Sequence, residues 1–91
     1  MNKRIIIGEN MRRVRAAAKL YQAGYYQAWD INPFDFDLAM KRNHSWLLRK
    51  IRDGYEIIDI GIDPDRANRS VFYAMEKEVL LQRNYPISQV Y

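Results

Sequence analysis

Short β-branched runs alternate along this chain with longer stretches of helical period. Arg4-Ile5-Ile6-Ile7-Gly8 is a short β-branched run closed by glycine, the pattern of a central parallel strand buried on both faces. Met11, Val14, Ala17, Ala18 and Tyr21 then recur at helical spacing, with Asn10 placed to cap a helix that Gly24 ends. Residues 24–29 are short and aromatic and predict a second strand, broken by Asp30-Ile31-Asn32-Pro33. Asp35 or Asp37 caps a second helix to about residue 52 through Phe36, Met40, Leu47, Leu48 and Ile51, stopped by Gly54. Residues 55–62 read as a third strand. Ile58, Ile60 and Ile62 point one way along it while Ile57, Asp59 and Gly61 point the other. Ser70 caps a third helix to about residue 84, packed through Phe72, Met75, Val79 and Leu80, and residues 87–91 predict a fourth strand after Pro86.

The order β-α-β-α-β-α-β predicts a small three-layer α/β sandwich with a mostly parallel four-stranded sheet, with α+β as the alternative. At 91 residues the chain makes a single domain with one core, and 48% hydrophobic and 13% aromatic residues exclude a disordered chain. With no cysteine, disulfides and thiolate metal sites are excluded. No apolar run approaches the ~20 residues that span a bilayer, and Met-Asn-Lys-Arg is not followed by a signal-peptide core. The expectation is a cytoplasmic protein with no membrane partner.

Charge divides the chain. Residues 1–52 carry eleven Lys/Arg against four Asp/Glu, and residues 53–91 carry four against seven. The basic half predicts affinity for phosphate or an acidic protein, and Arg12, Arg13, Arg15 and Lys19 form a stripe on the first helix that is either a nucleic-acid surface or a solvated face.

The acidic half holds the candidate chemistry. Asp59 lies inside a strand of isoleucines, where an unpaired carboxylate costs several kcal/mol, so it is paired, protonated or near an edge. Arg66 and Arg69 are its expected partners. Asp59 is a general acid/base or metal ligand in one reading and a structural anchor in the other. Asp63 sits at the C-terminal end of the same strand, where open α/β sheets bind ligands. Arg66, Arg69 and the Ser70 helix start together suit an anion, with Tyr73 one turn in, and Glu76 borders the buried face of the third helix. A metal nuclease of the Asp…Glu-x-Lys type wants a lysine two residues after the glutamate, and Glu76-Lys77-Glu78 fails that pattern. The single histidine, His44, has no second His or Cys to complete a zinc site and reads first as a packing residue. Asn43 and Trp46 read as packing on another face of its helix. Gly8-Glu9-Asn10 lies where nucleotide phosphates sit in α/β folds, but one glycine makes no fingerprint and Glu9 repels phosphate. No cofactor or metal is expected.

Ile6-Ile-Gly8, Asn43-x-x-Trp46-Leu47, the run from Gly54 to Asp63 and Arg69-Ser-x-Phe-Tyr-x-Met-Glu76 together resemble the small C-terminal toxin domains of bacterial polymorphic toxins, the Rhs-repeat and contact-dependent type. The resemblance implies a compact effector acting on nucleic acid or a nucleotide, delivered to a target-cell cytoplasm as part of a larger toxin and neutralised by an immunity protein. A free-standing relative is the other form it implies. No settled reaction comes with it. The residues expected at the reacting group are Asp59, Asp63, Glu76 and Arg69, with Arg66, Arg69, Ser70 and Tyr73 on the phosphate. The alternative is a non-catalytic nucleic-acid- or protein-binding module, or a structural protein of a mobile element.

Overall fold

A computed structural model describes residues 3–27 and 35–91. Three strands, β1 (Arg4–Ile7), β2 (Glu56–Asp59) and β3 (Ile87–Gln89), form a parallel sheet in that order, and three helices, α1 (Met11–Tyr21), α2 (Phe36–Arg52) and α3 (Val71–Gln82), connect and cover it. Alternation along the strands builds a core on each face. Ile5, Ile7 and Ile57 pack with Leu47 of α2 and Tyr73, Val79 and Leu80 of α3, whereas Ile6, Ile58 and Ile60 pack with Val14 and Ala18 of α1. Helices therefore lie on both faces, as an all-parallel sheet requires. Full burial of each such aliphatic side chain is worth roughly 1.5–3 kcal/mol, so Ile5, Ile7, Leu47, Ile57 and Leu80 carry much of the packing energy.

Among the described residues the sheet has three strands where four are expected. The predicted second strand is reduced to a single parallel bridge between Ile5 and Gly24, with the Ile6 amide donating to Gly24 O at 2.9 Å and the Gly24 amide to Arg4 O at 2.9 Å. Two residues further on, Tyr26 sets its ring edge-on to Trp46 of α2, and no further bridge to β1 forms among the described residues. Residues 28 and 29 of that expected strand, and the expected break at 30–33, lie outside the described residues. Gly24 is also not the cap of α1. Gln22 takes the left-handed position at φ 53°, its amide reaching Ala18 O, because Gly24 is committed to the bridge.

β2 is shorter than its apolar run. Asp59 ends it by accepting the Gly61 amide at 2.8 Å, and Gly61 turns the chain at φ 82°. The predicted caps form at Asn10, Asp35 and Ser70, whose side chains accept from the amides of Arg12, Leu38 and Tyr73. Ile7 stands opposite Asp59 in the register, so β1 and β2 end level and deliver residues 8–10 and 60–63 to the same edge. Gly8 fits this edge because a Cβ there would collide with the Ile60 side chain.

Candidate functional site

The two strand ends are tied together by Glu9, which is 1% exposed. Its Oε1 accepts the Asp63 amide at 2.9 Å and its Oε2 accepts the Ser70 amide at 2.7 Å, while Arg69 Nη1 lies 3.4 Å from Oε1. Asp63 in turn accepts from Asn10 Nδ2 at 2.9 Å and from the Asp65 amide at 3.1 Å. The Ser70 amide, acting against burial and joined by the Asp63 amide and Arg69, holds the Glu9 carboxyl below its ordinary pKa. The Asn10 hydrogen bond, followed by the Asp65 amide, does the same for Asp63.

This arrangement changes the role expected of the α3 N-terminus. The anion-binding position there is filled by the protein's own Glu9 carboxylate. Arg69 is likewise engaged, with Nη2 donating to Asp63 O at 3.2 Å and Arg66 O at 3.0 Å. Of the phosphate cradle expected from Arg66, Arg69 and Ser70, only Arg66 reaches the neighbouring cavity with its guanidinium outside this lock, its Nε held by Asn68 O.

Asp59 is fully buried and fully satisfied, but not by the arginines. Its carboxylate accepts from the Gly61 amide, from Tyr73 OH at 2.8 Å to Oδ1 and from Lys77 Nζ at 2.7 Å to Oδ2. It projects to the same face as Ile57, beneath α3, where Tyr73 and Lys77 stand one turn apart, and the loop of Arg66 and Arg69 lies beyond the strand's end. Burial, and then the Asp59 hydrogen bond, drives the Tyr73 hydroxyl far above its ordinary pKa, and Asp59 also raises that of Lys77 against the effect of burial. Tyr73 is thereby a poor proton donor to anything else.

Glu76 behaves differently. It is buried to 6% exposure and lines a cavity of about 400 Å³ between the end of β1, the start of α1, α2 and the start of α3. No hydrogen bond or ion pair from another described residue reaches its carboxyl, and its pKa is pushed up to about 8, first by burial and then by the Asp59 charge. Asn43, 3% exposed, lines the same cavity, and its Oδ1 has no hydrogen-bond partner among the described residues. Ile6, Val14, Phe72 and the ring of Tyr26 supply apolar walls, while Arg66, Ser70 and Asn10 supply polar ones.

The α1 stripe is not uniform. Arg12, Arg15 and Lys19 are exposed, but Arg13 is half-buried and donates to Glu9 O at 3.3 Å and Ile60 O at 3.2 Å, so it serves the lock. Among the described residues no group of three or more His, Asp or Glu is arranged to hold a metal ion.

The structure thus divides the expected cluster into three: Asp63 and Arg69 with Glu9, Asp59 with Tyr73, and Glu76 with the cavity. Sequence reasoning missed Glu9 as a structural acceptor, Lys77 as the partner of Asp59, and Asn43 as a cavity residue. Lys77 was recoverable, since Tyr73 and Lys77 share a helix face at i and i+4. Asn43 gave a weaker signal, a polar residue four before Leu47 on the face that Leu47 buries. No protein-family model matches the chain, and neither a curated protein nor a solved structure does.

Proposed function

We propose that this chain acts on a nucleotide, or on a nucleotide unit of a nucleic acid, bound in the cavity at the C-terminal end of β1, with Glu76 as its acid/base group. The observation that carries the reading is a buried carboxyl without a partner among the described residues, poised near pH 8, facing a cavity of ligand size. A carboxyl held protonated at neutral pH donates a proton to a leaving or carbonyl oxygen or nitrogen, and once ionised it takes one back. Asn43 Oδ1 supplies a buried acceptor for a donor on the ligand, the apolar walls suit a flat heterocycle, and Arg66 at the rim suits a phosphate. This moves the working residues from Asp59, Asp63 and Arg69, whose polar groups are met within the protein, to Glu76, Asn43 and Arg66.

Titration of isotope-labelled protein with nucleosides and nucleoside 5′-monophosphates tests the reading. Expected are saturable shifts at Asn43, Phe72 and Ser70, together with a Glu76 carboxyl carbon that titrates near pH 8. A Glu76 midpoint below pH 5, or no saturable shift with any nucleotide, overturns it. The effector role that the toxin resemblance implies belongs to the same proposal. Expression in bacteria should slow growth with the native chain and not with Glu76→Gln, and equal growth of both removes the toxic role.

A further inference from the structure

We propose that the outer groove of α2 is a binding site for single-stranded nucleic acid. The groove has a volume of about 440 Å³ and is lined by Tyr26, Trp46, Lys41, Arg42 and Arg49, with Gln27 and Ser45 and, among the described residues, no acidic one. Lys41, Ser45 and Arg49 follow one i, i+4, i+8 row of the helix, and Arg42 and Trp46 form the row beside it. From Lys41 to Arg49 the cations span about 12 Å at 1.5 Å per residue.

The rings, more than the cations, separate this surface from an ordinary solvated face, since Arg12, Arg15 and Lys19 of α1 are exposed as well. Lys41, Arg42 and Arg49 are exposed, and none of their side chains forms a hydrogen bond or ion pair with another described residue, whereas Arg4, Arg52, Arg69 and Lys77 each pair with a carboxylate. The cations also surround aromatic rings. Tyr26 and Trp46 stand 5.5 Å apart at 68°, and Lys50 holds its ammonium 5.6 Å from the Trp46 ring centre at the groove's border. Cations track a phosphate backbone and rings stack on bases, and only an unpaired strand exposes base faces to be stacked. A duplex or an acidic peptide would engage the cations and leave the rings unused.

The groove meets the Glu76 cavity at Tyr26, yet the inference does not depend on Glu76 or Asn43. The test is fluorescence anisotropy with labelled 12-nucleotide single strands of DNA and RNA and with the matching duplex, at 50 and 200 mM salt. Three neutralised phosphates on a single strand give a salt slope near −2, so affinity should fall roughly twentyfold over that range. Lys41→Ala/Arg42→Ala/Arg49→Ala should lose at least tenfold in affinity and most of the salt dependence. Arg12→Ala/Arg15→Ala/Lys19→Ala should stay within twofold of the native chain. If the triple α2 variant does not fold, Arg42→Glu alone takes its place and should cost at least fivefold. Failure of the native chain to bind the strands, duplex binding as tight as single-strand binding, or unchanged affinity in the α2 variants overturns the proposal. Loss of nucleotide binding in the cavity with these results intact overturns only the reading of Glu76.

Discussion

Asp59 and Glu76 are both carboxyls buried against α3, and they are buried in opposite ways. Asp59 accepts from an amide, a phenol and an ammonium, so both carboxylate oxygens are met inside the protein. Glu76 has none of these partners and borders open volume. Asp59 has an ammonium and two further donors within reach, while no described residue reaches the Glu76 carboxyl, and burial followed by the Asp59 charge raises the Glu76 pKa to about 8. A buried charge is therefore not by itself a mark of function in this protein. The informative quantity is hydrogen-bonding capacity that the fold leaves unmet, and by that measure Glu76 and Asn43 stand apart from Glu9, Asp59 and Asp63.

The comparison breaks most sharply at Asp59. Asp59→Ala lets the partly exposed Lys77 turn to water but leaves the Tyr73 hydroxyl and the Gly61 amide without their buried acceptor, at a cost of about 1–3 kcal/mol for each. Urea unfolding should show that loss, to a degree that leaves this small domain marginal at 25 °C. A loss under 1 kcal/mol would mean that Asp59 is no staple. Lys77→Met should cost less than Asp59→Ala, because Lys77 is partly exposed and Tyr73 and Gly61 still satisfy the carboxylate.

Glu76 should respond with the opposite sign. Its folded pKa lies above the unfolded value of 4.5, so the unfolded chain ionises first as pH rises. The stability associated with the protonated carboxyl is whole below pH 4.5 and is lost as pH climbs through about 8. Glu76→Gln does not ionise, so native and variant chains should match near pH 4 and diverge above it, the variant being more stable by about 2–4 kcal/mol at pH 8. Thermal melts across pH 4–9 measure this. Parallel curves for the two proteins would show that Glu76 is compensated like Asp59, and the contrast between them would fail.

Much of the frame was legible in the sequence, because it rests on local signals. The Ile5-Ile6-Ile7 and Ile57-Ile58 runs, the caps Asn10, Asp35 and Ser70, and the alternation that sets Ile57 and Asp59 opposite Ile58 and Ile60 all appear in the structure. The expected second strand failed for a reason no local window carries: Gly24 bridges Ile5, and then Tyr26 is drawn to Trp46, twenty residues away. The charges failed for a related reason. Asp59 is four residues from Asp63, yet they face different groups, and apart from the Gly61 and Asp65 amides two residues on, the hydrogen-bond partners of the buried carboxylates come from as far as 61 positions away. Sequence reasoning located the strand end where acidic groups collect but could not say which are already satisfied, since that depends on long-range register.

Asn43 gives the smallest effect and the finest discrimination. A buried amide oxygen without a donor is a desolvation cost of about 1–3 kcal/mol, part of which its neighbours and water entering the cavity recover. Asn43→Leu replaces the amide with an apolar group of similar size beside Ile6, Val14 and Phe72, so it should stabilise the fold by about 1 kcal/mol. If Asn43 serves only packing, nucleotide affinity in the cavity stays as it was. If it reads a donor on the ligand, affinity falls by at least tenfold while stability rises, two changes of opposite sign from one substitution. A loss of stability in Asn43→Leu would show that the Oδ1 is satisfied in solution, and would return Asn43 to the company of Asp59.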